Sequence, residues 1–385
     1  MNILVLNSGS SSLKFQLIDI KKEKLLIKGH IDGISLKRCV FKYNNKIEKV
    51  KIKDHEQAVK ISINRINELF PNIKISAIGH RVVHGGEKYK EPVIIDNKVI
   101  KTITKLSSLA PLHDPANLLG IVACRKLFPK IKQIAVFDTA FHQTIPKQSF
   151  LYAIPEKYYK KYKIRRYGFH GTSHQYLLEE AKKILKKKAL NIITCHLGNG
   201  SSVCAIKNNI SIDTSMGFTP LEGVIMGTRS GSIDPAITQF ICEKENKNIA
   251  EVINILNKES GLKALAKTQD VRLIREKMFK GNKKCKLALE MLSISIASYI
   301  AKYIMLLGKV DAIIFSAGIG EQGYYTRSRI CDYLSAFNIS YDKKKNNLHT
   351  TIFSTANSKV KLLIIPTNEE LMIAMECLRL VGNKG

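Results

Sequence analysis

Much of what would mark a familiar mechanism is missing from these 385 residues. The eight cysteines stand at 39, 124, 195, 204, 242, 285, 331 and 377, with no CxxC pair and no cluster, which argues against a zinc ribbon or a dithiol redox centre. Scattered in this way they predict small apolar filler in a reducing compartment. No GxxxxGK[ST] loop occurs, so the site is not of the Walker type, and HExxH is missing too. His80 and His84, like His170 and His174, have the i, i+4 spacing that invites a zinc reading, but His84 precedes two glycines instead of riding on a helix. Acid is scarce: 32 Asp and Glu against 62 Lys and Arg give a formal charge of +30. Such a charge can attract nucleic acid, membrane surfaces or anionic substrates. Only 12 of the basic residues are Arg, the lysines are spread along the whole chain, and aromatic and basic residues do not interleave. A solvated lysine surface with no nucleic-acid or membrane partner is expected. Met1 leads straight into a strand pattern rather than a basic and then apolar leader, and the apolar run Leu287 to Leu307 carries Glu290, Lys302 and three serines before Gly308. Both features predict a soluble cytoplasmic protein with a core helix there.

What is present begins at the first residues. Asn2 to Leu6 is a strand pattern, Ile3 to Leu6 being apolar on every residue, and Leu13, Phe15 and Leu17 alternate with Lys14 and Gln16 in a second strand that buries one face. Between them Asn7-Ser8-Gly9-Ser10-Ser11-Ser12 offers backbone N–H groups with no large side chain to keep an anion away, although such turns are usually plain hairpin turns. A second copy alters that balance. Asn191 to His196 leads into Leu197-Gly198-Asn199-Gly200-Ser201-Ser202 and out through Val203 to Ile206, so Gly9-Ser10-Ser11 and Gly200-Ser201-Ser202 match across 200 − 9 = 191 positions. A repeat on that scale predicts two similar α/β domains facing one cleft, each offering a hairpin to the phosphates of a nucleotide.

Along the chain, short strands to about residue 52 precede a helix opened by Asp54-His55-Glu56-Gln57 and closed by Pro71, with Val59, Ile63, Ile66 and Leu69 on one face. Arg81 stands at a strand end beside Gly85 and Gly86, where it is either a surface charge or a bidentate grip on an oxyanion. The turn Ala110 to Pro115, with His113, precedes a helix ending near Phe128. Asp138 follows the buried strand Gln133 to Phe137, as a ligand of nucleotide-bound magnesium or as a helix N-cap. Thr172 to Gln175 has capping-box spacing, which sets His170 just outside a helix running to about Lys188. Thr214 to Asp234 lacks regular pattern, has Arg229 as its only cation, and reads as a functional loop. Helices are expected over about 235–257 and 284–307. After the strand at 310–315, Gly318, Gly320 and Gly323 satisfy GxGxxG with Asp342 beyond, a dinucleotide fingerprint close to the carboxyl end.

Taken together, LNSGSSSLKFQL, GHRVVHGGE, APLHDPANL, VFDTAFH, RRYGFHGTSH, HLGNGSS, MGTRSG, AGIGE and TNEELMIA resemble the acetokinase family, a branch of the actin-like, sugar-kinase and Hsp70-type superfamily. The resemblance runs from Asn2 to the final helix. It implies an α/β fold of two ribonuclease-H-like domains around a central nucleotide cleft, 1–140 with 369–385 and 141–368, the second carrying the nucleotide site and a homodimer interface. It implies ATP and ADP as co-substrates with Mg2+, for which Mn2+ can substitute, and reversible phosphorylation of acetate. Asn7, Asp138 and Glu369 would organise the magnesium ion, and Arg81, His113, His170 and Arg229 would surround the transferring phosphoryl group. Lys14, His196, Gly198, Asn199 and Gly200 would face the nucleotide phosphates, and Asp270, Val271, Arg272, Gly318, Ile319, Gly320 and Gln322 the adenosine. Val83, Leu112, Phe169 and Pro220 would form the acyl pocket. The family usually has Asp where Ser232 stands, Asn where Gln322 stands, and a Ser-rich run where this chain has Ala264 to Gln269. Propionate or butyrate kinases would share nearly all of these motifs. A nicotinamide-dependent dehydrogenase, from GxGxxG, and a non-catalytic nucleic-acid binder, from the charge, are the rivals of other classes.

Overall fold

Two mixed sheets, each extended from a β-hairpin, account for most of the strands in the computed structural model, which describes residues 1–107 and 114–382. Contacts divide the chain into two units, 1–143 with 368–385, and 144–367.

In the first unit the strands are β1 (Asn2–Gly9), β2 (Ser12–Asp19), β3 (Lys24–Asp32), β4 (Cys39–Tyr43), β5 (Lys46–Val50), β6 (Ile75–Val82), β7 (Val93–Ile94) and β8 (Gln133–Phe137). They lie in the order β5-β4-β3-β2-β1-β6-β8-β7, with β1, β6 and β8 parallel. Helices α1 (His55–Leu69), α2 (Asn97–Leu106) and α3 (Asp114–Leu127) belong to the same unit. Ile3, Leu4, Val5 and Leu6 are all buried because helices cover β1 from α3 and from the carboxyl-terminal helix. The first hairpin is tighter than its sequence suggests. Asn7 pairs with Lys14, Ser8 with Leu13 and Gly9 with Ser12, leaving Ser10 and Ser11 as the turn, and Ser11 O accepts from Gly33 N and Ile34 N. Polar residues thus continue the ladder, since backbone pairing needs no apolar side chain.

Asp54 caps α1 by accepting from Gln57 N at 2.8 Å, whereas Gln57 Oε1 bonds Lys53 N, one residue before the cap, so the reciprocal half of the box is displaced. Val59, Ile63 and Ile66 are buried as expected, but Leu69 in the last turn is 43% exposed. Helix α2 had no counterpart in the sequence reading.

The second unit contains α4 (Lys147–Phe150), α5 (Glu156–Tyr162), α6 (Gly171–Leu185), β9 (Ile192–Leu197), β10 (Ser201–Lys207), β11 (Ile210–Thr214), α7 (Ala236–Glu245), α8 (Ile249–Lys258), α9 (Gly261–Ala266), α10 (Val271–Phe279) and α11 (Lys283–Leu307). It continues through β12 (Ala312–Ser316), α12 (Ala317–Gln322), α13 (Tyr324–Tyr333), α14 (Lys343–Asn347) and β13 (Lys361–Ile364). Its sheet runs β11-β10-β9-β12-β13, and β9, β12 and β13 are parallel. Both units therefore repeat one plan, a hairpin whose first strand pairs on its other edge with a parallel strand. Among the described residues α11 is the one helix long and apolar enough to cross a bilayer, but its Leu289, Leu292, Ile296 and Ile300 are buried in the core of this unit. Gly308, at φ 71°, ends it.

The GxGxxG stretch does follow a strand and open a helix, α12. The sheet around it, however, has antiparallel β10 and β11 on one flank, unlike a doubly wound dinucleotide fold, and Asp342 caps α14 through Lys345 N. Finally α15 (Glu369–Gly382) returns to the first unit and packs on β1 and β6, where a Cβ on Gly79 would lie 2.7 Å from Ile373 and 2.8 Å from Cys377.

In β3, Gly29 stands opposite Phe15, and a Cβ there would run into the Phe15 ring, which covers the glycine. Gly29→Ala should destabilise the protein by about 1–3 kcal/mol through overpacking, measured as a lower denaturation midpoint at unchanged m-value.

Candidate active site

Parallel strands deliver the charged residues of the first unit. Register pairs Arg81 with Val136 and Val82 with Phe137, and Asp138 N continues the ladder to Val82 O at 2.9 Å, so Arg81 on β6 and Asp138 beyond β8 emerge side by side. Arg81 Nε lies 3.1 Å from both Asp138 oxygens and Nη2 lies 2.6 Å from Oδ2. This fork grips a carboxylate that is 1% exposed. Burial disfavours the Arg81 charge, but Asp138 and then Glu369 outweigh it and keep the guanidinium charged. Asp138 is thus an ion-pair partner of Arg81.

Around this pair, Asn117 on α3 joins the first hairpin to the strand end, donating to Ser8 O at 2.7 Å and accepting from Val83 N at 3.1 Å. Asn117 was not singled out from sequence, since an amide within a helix carries no signal of its own. Val83 is buried, and Lys14, across from Asn7, is exposed. Glu369 opens α15, and its Oε1 is buried with no hydrogen-bond partner among the described residues. An orphaned carboxylate oxygen is costly unless something else fills its lone pairs, and a hard cation does so. Glu369 fits magnesium on that ground, and Asn7 and Asp138 are the further oxygen donors that the resemblance assigns to it. His113 and Leu112 lie outside the described residues.

In the second unit the β9–β10 hairpin turns through Gly198, Asn199 and Gly200, closed by Gly198 N to Gly200 O at 3.1 Å. Two cation-bearing or proton-donating side chains converge on it: a Cβ on Gly200 would lie 3.3 Å from Arg229 Nη1 and 3.6 Å from His170 Nε2. Arg229 bonds Pro220 O at 3.2 Å and Met226 Sδ at 3.7 Å, with no carboxylate among these partners, and burial lowers its pKa. A desolvated guanidinium held by one carbonyl and a thioether favours an incoming anion.

Helix α6 begins at Gly171, so Thr172 lies inside the first turn and does not cap it; His170 is the cap, in the left-handed region at φ 57°. That strain, of order 1–3 kcal/mol, fixes the imidazole at the helix start. His170 Nδ1 meets Ser202 Oγ at 2.9 Å, and the same hydroxyl meets His174 Nε2 at 2.8 Å, while His174 Nδ1 meets Thr194 Oγ1 at 2.7 Å. The spacing that invited a zinc reading thus serves a shared hydroxyl. His80 Nε2 bonds Gln133 Oε1, and His84 Nδ1 accepts from Gly86 N. His196 stacks on His170 with ring centroids 4.2 Å apart, and Phe169 is buried beside them in sequence.

A cavity of about 470 Å³ lies in this unit. Gly198 and Asn199 form one wall, Asp270, Val271 and Arg272 a second, and Gly318, Ile319 and Gln322 a third. Gly200, Gly320 and His196 do not line it. Gly323 of the GxGxxG stretch and Gln269 of the departing run line it, as does Arg275, which belongs to no motif. Asp270 caps α10 through Arg272 N and also binds the Arg272 guanidinium, which holds its pKa down at about 2. Arg327, fully buried, fixes α12 by donating to Gly320 O at 2.7 Å and Glu321 O at 2.8 Å, and to Asn346 beyond. Ser232 Oγ accepts from Gly223 N at 3.1 Å, a loop contact within one unit.

A glycine turn facing a buried guanidinium and a fixed histidine, beside a cavity of about 470 Å³, suits an α/β phosphotransferase. Residues 2–375 match the model of the acetokinase family. The chain is 51% identical to the acetate kinase of Thermotoga maritima, covering 100% of both chains. Among solved structures it resembles a propionate kinase from Francisella tularensis (TM-score 0.94, 41% identity, 97% of this chain and 98% of that one). It also resembles the acetate kinase of Porphyromonas gingivalis (TM-score 0.95, 38% identity, 99% of each). This chain belongs to the acetokinase family, and its two units have the actin-like ATPase fold.

Asp114 supplies a pH test. Burial, against a bond from His84 N and with Asp138 nearby, raises its pKa from 3.8 to about 8. The folded state prefers the protonated acid, so its contribution to stability is complete below about pH 4 and is lost as pH rises through 8. Asp114→Asn should flatten the stability profile between pH 5 and 9, as read from denaturant midpoints.

Proposed function

We propose that this enzyme transfers the γ-phosphoryl group of ATP to acetate, reversibly, giving acetyl phosphate and ADP. The observation that carries the reading is the convergence of Arg229 and His170 on the Gly198–Gly200 turn. Acetate is already an anion, so its oxygen attacks phosphorus in line without a general base; one P–O bond forms as the bond to the β-phosphate oxygen breaks, and ADP leaves with that electron pair. The enzyme's task is alignment and charge neutralisation. Arg81, held by Asp138, fixes the acid, and Arg229, His170 and His113 neutralise the transferring group. Val83, Leu112, Phe169 and Pro220 limit the size of the acid. Asn7, Asp138 and Glu369 would hold magnesium, which when bound neutralises nucleotide phosphate charge. Lys14, His196 and the Gly198–Gly200 turn serve the phosphates, and the walls of the cavity at Asp270–Arg272 and Gly318–Gln322, with Gly320, receive adenosine.

The Francisella relative favours propionate as a second acid. One methylene alters discrimination by only about 1–3 kcal/mol, so kcat/KM across acetate, propionate and butyrate decides. A homodimer through the second unit is supported by α7, which buries no residue and leaves Ile237 44% and Phe240 60% exposed, with Ile249 of α8 at 59%. Seven buried cysteines support a reducing, cytoplasmic setting. The lysine charge is read as solvated surface, with neither membrane nor nucleic acid as partner.

With ATP, magnesium and acetate, a hydroxylamine trap should report acetyl phosphate. Arg81→Ala and Arg229→Ala should each lower turnover by about 10²-fold or more; near wild-type rates in folded protein would refute the roles given to them. Phe240→Glu should shift the sedimentation equilibrium toward monomer, and an unchanged mass would remove α7 from the interface.

A further inference from the structure

The segment carrying Pro220 and Arg229 has no helix or strand between β11, which ends at Thr214, and α7, which starts at Ala236. Scattered backbone bonds such as Ser215 N to Val203 O and Ser230 N to Leu256 O hold it in part, and side chains from elsewhere in the second unit do the rest. Arg166, between α5 and α6, donates from Nη1 to the carbonyl oxygens of Thr214, Ser215 and Met216 at 3.1, 3.2 and 3.1 Å. Its Nη2 donates to Glu222 Oε1 at 2.6 Å. The second Glu222 oxygen accepts from Tyr152 Oη, and Tyr152 Oη in turn accepts from Phe218 N at 2.8 Å.

The backbone closes around this clamp. A Cβ on Gly217 would run into Glu222 Oε2 and Tyr152 Oη, so only glycine leaves room for the bond between them. Gly217 O accepts from Tyr167 N at 3.1 Å and Gly168 N at 3.3 Å, which ties the residues just before Phe169 and His170 to the loop. Pro220 O, within that loop, receives Arg229 Nη1. Arg166 is 14% exposed and Glu222 29%, so the pair is poorly screened. Burial disfavours the Arg166 charge, but Glu222, Tyr152 and Asp213 outweigh it, and Asp213 is itself held by Lys302 at 2.7 Å.

We infer that Tyr152, Arg166 and Glu222 are positioning residues which set Pro220 and Arg229 relative to Phe169 and His170, and thereby tune which short carboxylic acid is phosphorylated. The inference rests on the phosphotransferase reading above. Tyr152→Phe leaves Phe218 N without its acceptor and Glu222 Oε2 without its donor. Glu222→Gln keeps the shape but removes the charge that balances Arg166. Either lets the loop drift, and a displacement near 1 Å is enough to cost about 10²-fold in an aligned reaction.

The test measures kcat and KM for acetate, propionate and butyrate, and KM for ATP, in wild type, Tyr152→Phe, Glu222→Gln and the double variant. Thermal melts establish that each is folded. The expected result is a rise of about tenfold in KM for acetate or a comparable fall in kcat, and a change of about threefold or more in the acetate-to-propionate ratio. KM for ATP should stay near wild type, because Asp270–Arg272 and Gly318–Gln322 lie off the clamp, and the double variant should be no worse than the more affected single one. Folded variants with wild-type acid constants and acid preference overturn the inference. So does a loss that scales all acids equally and follows the folded fraction, which is what a merely structural role gives. If Glu222→Gln fails to fold, Tyr152→Phe, which deletes one hydroxyl, decides alone. A wild type that phosphorylates no short acid overturns the phosphotransferase reading and this inference with it, whereas an active wild type with silent variants overturns only the inference.

Discussion

Burying a guanidinium is the constraint on which both units turn, because its donors must find acceptors or the charge is expelled. The chain meets this demand in different ways. Arg81 has a carboxylate fork in Asp138, and Arg166 has Glu222 with a row of carbonyls. Arg327 is fully buried on neutral oxygens from Gly320, Glu321 and Asn346, and burial lowers its pKa to about 10. Arg229 alone of these has a carbonyl and a sulfur. Arg166 and Arg327 are scaffolding whose donors are already answered, Arg81 is held in place by its carboxylate, and Arg229 has no carboxylate among these partners. A difference in partners, not in residue type, separates these arginines.

The hairpin plan recurs in each unit. In each, an apolar strand locked between a hairpin partner and a parallel neighbour gives the turn a rigid base. In the second unit the base is β9, wholly buried between β10 and β12, and the turn it presents is braced by Gly227 N on Asn199 O at 3.1 Å.

The parts legible in the sequence were those written in local pattern. The strands before each turn, the core helix ending at Gly308, and the irregular stretch around Arg229 all followed from periodicity and glycine placement. Element ends were less legible. Asn7 and Ser8 read as turn, yet they extend a ladder because pairing partners, which only the fold supplies, decide where a strand stops. Thr172 looked like a cap, yet His170 takes that place in a backbone region that statistics disfavour for it. Asn117, Arg327 and Glu222 were invisible for a common reason. Each works through bonds to residues far off in the chain, and a single polar side chain within a helix or loop does not advertise its distant partner.

One unit of the molecule is built from both ends of the chain. Residues 368–385 join 1–143, and α15 lays Ile373 and Cys377 against Gly79 on β6, closing one face of that sheet. During synthesis the amino-terminal sheet therefore leaves the ribosome with that face uncovered and stays so until the final helix emerges, whereas residues 144–367 have all their strands in hand earlier. The order of maturation is thus reversed relative to the order of translation: the sheet made first is completed only by α15, after residues 144–367 have their strands in hand.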